Sequence, residues 1–319
     1  MKVSIAMCTF NGARFLPEQL ASLRAQQRRP DELIICDDAS TDETPQLLKD
    51  FSRTAEFPVH LSVNSTNVGT NKNFAQAINA CTGDIVFLCD QDDIWNSEKI
   101  RSIESIFQAH PKAGLVFTDA EFLDESSAGS AKCLSAELAF GRRRQNVVKT
   151  GGAFALLLRQ NYVCGATMAF RSAFRELILP IVEDGPLIHD GWIALLISAV
   201  AGVSFIDRPL IKYRRHAAQQ VGLARVSRVD EVMRAQRTAP DSYVRQARQL
   251  SEALSRLLDH GISARHEQLL REKIAHLHER ARLPQSPLRR LPSVSKEIVN
   301  LRYHRFSRGW YSAAKDLLV

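Results

Sequence analysis

The sequence predicts an α/β fold: an open, mostly parallel sheet flanked by helices, followed by a helical C-terminal region. Three observations predict it. Apolar runs of strand length at Val3 to Thr9, Leu33 to Cys36 and Ile85 to Cys89 lack polar alternation, as strands buried on both faces of a parallel sheet do. Stretches with apolar residues at helical spacing separate these runs. Each run ends abruptly in polar residues, at Thr9-Phe10-Asn11, Asp37-Asp38 and Asp90-Gln91-Asp92-Asp93, and in open α/β sheets that carboxyl edge is where ligands bind.

In chain order, the strand from Val3 to Thr9 precedes a helix from Arg14 to Gln27 with Leu16, Leu20 and Leu23 on one face. After the strand from Leu33 to Cys36, a helix runs from Thr44 to Phe51. Val59 to Val63 alternates like a strand, Asn71 to Cys81 reads as a helix, and Ile85 to Cys89 completes a βαβαβαβ pattern. Ser97 is placed to cap a helix bearing Ile100, Ile103 and Phe107, and a strand from Gly114 to Thr118 ends at Asp119. Residues 125 to 152, with Ser126, Ser127, Gly129, Arg142 to Arg144 and Gly151-Gly152, break the periodicity and read as a loop region. Tyr162 to Met168 returns as a strand. The apolar stretch from Trp192 to Ile206 is too short for a bilayer and reads as a buried helix. From Ser227 onward the pattern is helical, with Val244, Ala247, Leu250, Leu254 and Leu257 and then Leu270, Ile274 and Leu277 in register, interrupted by Pro284, Pro287 and Pro292.

Composition bounds the function. The 319 residues admit a catalytic domain over residues 1–226, in halves 1–120 and 121–226, plus a helical basic region over 227–319. A strand begins at residue 3, followed soon by Asn11, Arg14 and Glu18, so no secretory signal is expected and the start is cytoplasmic in character. Six cysteines without C-x-x-C spacing read as small apolar residues of a reduced compartment, not as zinc or disulfide sites. The net charge of +7 resides entirely in residues 280–319, where nine Lys/Arg face Glu297 and Asp316. That tail mixes Tyr303, Phe306, Trp310 and Tyr311 with basic residues, which suits an anionic membrane surface, the plain alternative being a basic helical pair packed on the catalytic domain or on a second subunit; nothing elsewhere supports nucleic acid. A homodimer is left open.

The acidic edge narrows the chemistry. Asp90 and Asp92, one residue apart at a strand end, can turn oxygens toward one hard divalent cation; the plain alternative is an Asp-rich turn capping the next helix. A dinucleotide site would need G-x-G-x-x-G after the first strand, where only Gly12 stands, and no P-loop is present. An EF-hand fails on ligand spacing and on the missing sixth-position glycine. What remains is a sheet edge suited to a nucleoside and a metal-bound diphosphate.

These residues resemble the inverting glycosyltransferases of family 2, which have the GT-A fold, a Rossmann-like sheet flanked by helices. The resemblance covers most of residues 2 to 222: the opening Val3 to Asn11, Asp37-Asp38-Ala39-Ser40-Thr41-Asp42, Asn67-Val68-Gly69, Gly83-Asp84, Asp90-Gln91-Asp92, and His189-Asp190-Gly191-Trp192. Leu88 to Trp95, with Tyr213-Arg214-Arg215-His216, is most similar to rhamnosyltransferase-type members that build bacterial surface polysaccharides such as O-antigen, lipopolysaccharide or capsule.

The resemblance implies a donor pocket for a nucleoside-diphosphate sugar, dTDP- or UDP-linked, with rhamnose a candidate sugar. Thr9, Asn11 and Asp38 would line the nucleoside site and Asp37 would hold the ribose, although an Asx-turn explains the same pair. Lys72 and Asn73 would meet phosphate, and Asp90, Gln91 and Asp93 would contact the donor. Mg²⁺ or Mn²⁺ would sit on Asp92 first and Asp90 second, with His216 as a further ligand; its plain alternative is an exposed histidine. Gly165, His189 and Trp192 would face a glycan or lipid-linked acceptor, and Arg142 to Arg144 would reach a lipid diphosphate or merely be solvated. Asp190 would act as general base, unless it is only the N-cap of the helix that follows. Members usually carry Glu-Asp where this chain has His189-Asp190, which leaves the base in place and the role of the first residue open. The other readings are a haloacid-dehalogenase-like phosphotransferase, which would use Asp90 as nucleophile on the first strand, and a non-catalytic glycan-assembly protein, which would need no base.

Overall fold

A computed structural model of the chain describes residues 1–124, 133–216 and 240–318. Ser126, Ser127, Gly129 and the stretch 217–239, where the C-terminal region was expected to begin, lie outside the described residues. Strands β1 (Val3–Thr9), β2 (Glu32–Asp37), β3 (Val59–Val63), β4 (Ile85–Cys89), β5 (Ile94–Trp95), β6 (Ala113–Asp124), β7 (Met168–Arg171) and β8 (Gly202–Arg215) form one sheet in the order β3-β2-β1-β4-β7-β6-β8-β5. β1 to β4 are mutually parallel and β6 is parallel to β8, while β7 and β5 run against their neighbours.

The absence of alternation in the central strands has its cause in burial on both faces. In β1, Val3, Ile5 and Met7 enter one core and Ala6 and Cys8 the other; in β4, Ile85, Phe87 and Cys89 part from Val86 and Leu88 in the same way. Helices Leu16–Arg24, Thr44–Thr54 and Lys99–Ala109 cover the first face, and Thr70–Ala80, Ala153–Arg159 and His189–Val200 cover the second. β3, at the edge, is the least buried strand of the parallel half.

Several local expectations are corrected. The helix at Lys99 is entered through Asn96, whose Oδ1 accepts from Glu98 N at 2.9 Å, and Ser97 makes no cap. β6 does not stop at Asp119 but continues to Asp124 through register shifts at Asp119, whose carboxylate accepts from Ser135 N and Oγ. Within the expected loop region, Leu134–Glu137 and Arg142–Lys149 are helical; the latter buries Gln145 and Val148, a face too short to show a period beside three arginines. Of the strand expected over Tyr162 to Met168, only Met168 is in a strand, as the first residue of β7. Asn161 takes both Val163 N and Val163 O with its side chain and Thr167 Oγ1 donates to Cys164 O, so local bonds replace a ladder before β7. The apolar run after Trp192 divides: the helix ends at Val200 and Gly202 opens β8, donating to Lys112 O.

The C-terminal helices Pro240–Asp259 and Ala264–Ala281 add Ala247, Leu250, Leu254, Leu257, Leu270 and Leu277 to the core beneath the helix at Trp192. Pro287–Val299, Arg302–Phe306 and Trp310–Leu318 then fold back on them. A buried polar network fastens this return: His276 Nδ1 meets Glu297 Oε2 at 2.6 Å, Arg280 forks onto Asp316 at 2.6 and 2.9 Å, and Tyr303 Oη donates to Asp316 at 2.7 Å. No described helix is long and apolar enough to cross a membrane.

Trp192 is a core residue and not part of an acceptor surface: it is fully buried, donates Nε1–H to Ile178 O at 2.9 Å and lies under the Arg256 guanidinium. Trp192→Ala is therefore expected to lower unfolding free energy by about 3–5 kcal/mol. Denaturant unfolding checks this, and a loss below about 1 kcal/mol would contradict the core assignment.

Candidate active site

One cleft of about 810 Å³ opens at the carboxyl edge of the sheet. Its walls come from the ends of β1, β2, β4 and β8, the first turns of the helices at Thr70 and His189, and the segment 161–165. The volume is that of a site for a ligand of nucleotide-sugar size.

Of the expected donor residues, Thr9, Asn11, Asp38, Asn73, Asp90, Gln91 and Asp92 line this cleft. Asp38 is held by Asn64 Nδ2 and by the backbone N–H groups of Val68 and Gly69, at 2.8 to 2.9 Å, which fixes its carboxylate at the floor. Gly69, at φ +88°, is the residue that lets the chain turn into the helix at Thr70 while giving that N–H. Asn73 bridges Asn64 and Cys36 O. Asn11 adopts φ 48° and accepts from Thr41 N, tying the loop after β1 to the loop after β2. Gln91 clamps the backbone of Phe10 through both of its amide atoms, at 2.8 and 3.0 Å.

Four expected residues lie off the cleft. Asp37 is fully buried and spends its carboxylate on Thr9 Oγ1, Ser40 N and Ser40 Oγ, the Asx-turn alternative. Lys72 reaches outward to Glu183 at 3.0 Å, both half-exposed, because the helix turns it to the surface while Asn73 points in. Asp93 is buried beneath the floor, where its Oδ1 accepts from Arg214 N and its Oδ2 has no partner among the described residues. Trp192 belongs to the core as above.

The acidic loop is pinned by a strand that sequence alone could not pair with it. β5 runs antiparallel to β8, with Ile94 opposite Lys212 and Trp95 opposite Ile211, and this brings Tyr213 to His216 alongside Asp92. Arg214 donates Nε–H to Asp92 O and reaches Glu18. His216 Nε2 then lies 2.8 Å from Asp92 Oδ2, its ring against Phe15 and its Nδ1 buried without a partner among the described residues.

Across the cleft, the helix His189–Val200 carries Asp190 in its first turn. The N-cap position is Ile188, so Asp190 is not the cap, although its Oδ1 accepts from Gly191 N. Asn161 Nδ2 approaches Oδ1 at 3.4 Å and Gly165 N approaches Oδ2 at 3.3 Å, so the carboxylate is held from two sides. His189 stacks on Phe74 at 4.1 Å; burial holds its pKa down at about 3, so it is a neutral wall. A Cβ on Gly165 would come within 2.9 Å of His189 Nε2, so glycine keeps this wall open beside Asp190.

Charge is crowded here. Burial, then Asp92 and Asp190, push Asp90 up to about 7, and burial pushes Asp190 up to about 6. Beneath them Lys99 is fully buried, donates to Ala166 O at 2.6 Å and lies 3.4 Å from the centre of the Trp95 ring; burial lowers it to about 7. Neither Lys99 nor Asn161 was legible as a site residue; Lys99 carried the one available signal, a lysine standing on the apolar face with Ile103.

No three His, Cys, Asp or Glu among the described residues form a ready-made metal cluster. The donor set nevertheless fits a divalent cation: crowded carboxylates stand beside a histidine, with His216 Nε2 2.8 Å from Asp92 Oδ2, and oxygen and imidazole ligands suit Mg²⁺ or Mn²⁺. Asp92, His216 and Asp90 would hold it.

Sequence and structural relatives place the chain in a family and a fold. The family described as glycosyl transferase family 2 matches residues 4–177. An uncharacterised glycosyltransferase of Nostoc sp. is 25% identical over 225 residues, which is 68% of this chain and 66% of that protein, just short of two thirds of its length. Staphylococcus aureus TarS residues 1–349, solved in complex with UDP-GlcNAc, superposes over 99% of this chain and 88% of that one with TM-score 0.61 at 17% identity. The mannosyltransferase PcManGT of Pyrobaculum calidifontis, in complex with GDP-Man and Mn²⁺, superposes over 98% and 78% with TM-score 0.51 at 17% identity. The architecture is the GT-A fold of these glycosyltransferases.

Because Asp90 and Asp190 take up protons on folding between their ordinary values and about 7 and 6, ionising them costs the native state, and metal-free protein gains from them as pH falls. Asp90→Asn is expected to raise the melting midpoint by a few degrees at pH near 8, and the gain should vanish towards pH 5. Thermal scans in chelator check this; a variant less stable than the parent at the higher pH would refute the crowding.

Proposed function

This chain belongs to glycosyl transferase family 2, and on that premise we propose that it is an inverting, metal-dependent glycosyltransferase taking a sugar from a nucleoside diphosphate to a glycan or lipid-linked acceptor. The observation that carries the reading is that Asp190 lines the same cleft as Asp90 and Asp92, close enough for its charge to raise Asp90. A donor and an acceptor can therefore meet between a metal-ligating edge and a base.

In this reading the nucleoside lies against Thr9, Asn11 and Asp38, with the Asp38 carboxylate accepting from a pyrimidine N–H, and the diphosphate lies towards Asp90, Asp92 and His216. A divalent cation there would offset the charge that builds on the departing diphosphate. Asp190 takes the acceptor hydroxyl proton as that oxygen attacks the anomeric carbon from the face opposite the diphosphate, which inverts the configuration. Asn161 and Gly165 keep the Asp190 oxygens aimed, Gly165 and His189 shape the acceptor side, and the pKa near 6 suits a base that must be ionised at neutral pH without being inert. The donor in this reading is a UDP- or dTDP-sugar, with rhamnose among the candidates, and the acceptor belongs to bacterial surface polysaccharide synthesis; the UDP-GlcNAc complex of TarS supports a nucleotide-sugar donor in general. A lipid-linked acceptor would place the reaction at the cytoplasmic face of the inner membrane. Phosphoryl transfer of the haloacid-dehalogenase type is disfavoured, since Asp90 follows β4 and not the first strand.

A screen of UDP- and dTDP-sugars for Mg²⁺- or Mn²⁺-dependent release of nucleoside diphosphate tests the reading. With the active donor, Asp190→Asn should keep donor affinity and lose about 10²-fold or more in turnover. Asp92→Asn should abolish transfer without lowering the melting midpoint. Full turnover in Asp190→Asn, or metal-dependent activity at parental level in Asp92→Asn, would overturn the assignment.

A further inference from the structure

The helix Pro287–Val299 is amphipathic in an inverted sense for a protein surface. Its inner face holds Val294, Glu297 and Ile298 against the rest of the chain, with Val294 and Glu297 buried. Its outer face, at spacings of three, four and eleven residues, carries Leu288, Leu291, Pro292, Ser295 and Val299; Leu288 is 78% exposed and Val299 79%. The neighbouring helix Trp310–Leu318 repeats the arrangement, burying Ser312, Ala313 and Asp316 and exposing Trp310 (65%), Tyr311 and Leu318 (79%). Exposed leucines scattered singly need no explanation, but two adjacent helices with apolar outer stripes do.

We propose that this surface docks the protein onto an anionic lipid surface. The orientation of the two helices is not adjustable in isolation, because their inner faces are fastened by the buried Glu297–His276 and Asp316–Arg280 pairs. The outward stripes are therefore the stable presentation of this region. Beside the apolar stripe of the first helix stand Arg289 and Lys296, which make no ion pair among the described residues, and Lys315 lies in the last turn of the second. A helix lying in the interface needs this combination, apolar side chains entering the acyl boundary and basic ones at headgroup level.

Charge decides between this occupant and a second copy of the chain. In a two-fold dimer each patch meets its own copy, so the exposed Arg289 and Lys296 that flank the stripe would be brought against the same two residues of the other copy. An anionic bilayer offers the opposite sign over the same area. The inference extends the proposed use of a lipid-linked acceptor by naming the surface that meets the bilayer, and its test needs no sugar donor, so either idea can fail alone.

Full-length protein is mixed with phosphatidylcholine vesicles with and without phosphatidylglycerol, and bound protein is sedimented at low and high salt. Binding is expected on the anionic vesicles only, and it should weaken steeply with salt. Leu291→Glu with Trp310→Glu, and separately Arg289→Glu with Lys296→Glu, should each lower binding about tenfold or more, with circular dichroism and melting midpoint unchanged. Every substituted side chain is on the outer face or its flank, so folding is not at stake. Equal binding by parent and variants would overturn the proposal. So would absence of vesicle binding together with a concentration-dependent dimer, in sedimentation velocity, that Trp310→Glu dissolves.

Discussion

The structure depends on one electrostatic constraint: four carboxylates, of Asp90, Asp92, Asp93 and Asp190, are gathered in or under a single cleft, where burial and mutual repulsion raise Asp90 and Asp93 and burial raises Asp190. Lys99 lies below, but its own burial weakens its hold on a proton. Arg214 contributes mainly by pinning the backbone of Asp92 and by its reach to Glu18. A fold optimised for stability alone would not place acids this way. The arrangement is sensible where a cation and a phosphorylated ligand arrive together, each relieving what the other would aggravate. Much of the neighbouring chemistry serves to keep the acids in place: Gln91 strapping Phe10, Asn161 and Gly165 steadying Asp190, and the short β5–β8 ladder carrying His216 to Asp92.

The central sheet was legible because its strands obey one rule without interference: both faces are buried, so β1, β2 and β4 are continuously apolar and end where the edge meets solvent. The site acids were legible for the same reason, since a carboxylate directly after such a strand has only the edge to occupy. Legibility failed where side chains, and not periodicity, set the backbone. Asn161 and Thr167 compete with a ladder around Val163, Asn96 starts the helix for which Ser97 looked adequate, and Asp119 lets β6 shift register and continue. Orientation within a helix or turn was the other blind spot. Lys72 and Asn73 are adjacent, yet one faces Glu183 and the other Cys36; Asp37 and Asp38 are adjacent, yet one closes a turn and the other floors the cleft.

Long-range pairings were beyond any reading of local pattern. That residues 213–216 stand beside residues 90–92 follows from two residues of β5 bonding to β8. That a lysine can be wholly buried follows from the coincidence of Ala166 O, the Trp95 ring and nearby acids in space. Neither is written in spacing or composition.

The side chain of Gln249, in the helix Pro240–Asp259, accepts from Leu187 N at 3.0 Å and donates to Leu187 O at 2.7 Å, acting as a strand partner for the segment that delivers His189 and Asp190. His266 similarly meets Ala199 O at the far end of the same helix. The consequence bears on how such chains can be recombined. A chimera that joined the sheet of this protein to the C-terminal helices of a relative would have to supply an amide in register with Leu187, or leave a buried backbone pair without partners two residues before His189. The segment that carries Asp190 and the C-terminal helices are thus inherited together, and grafting one without the other would disturb the wall of the cleft.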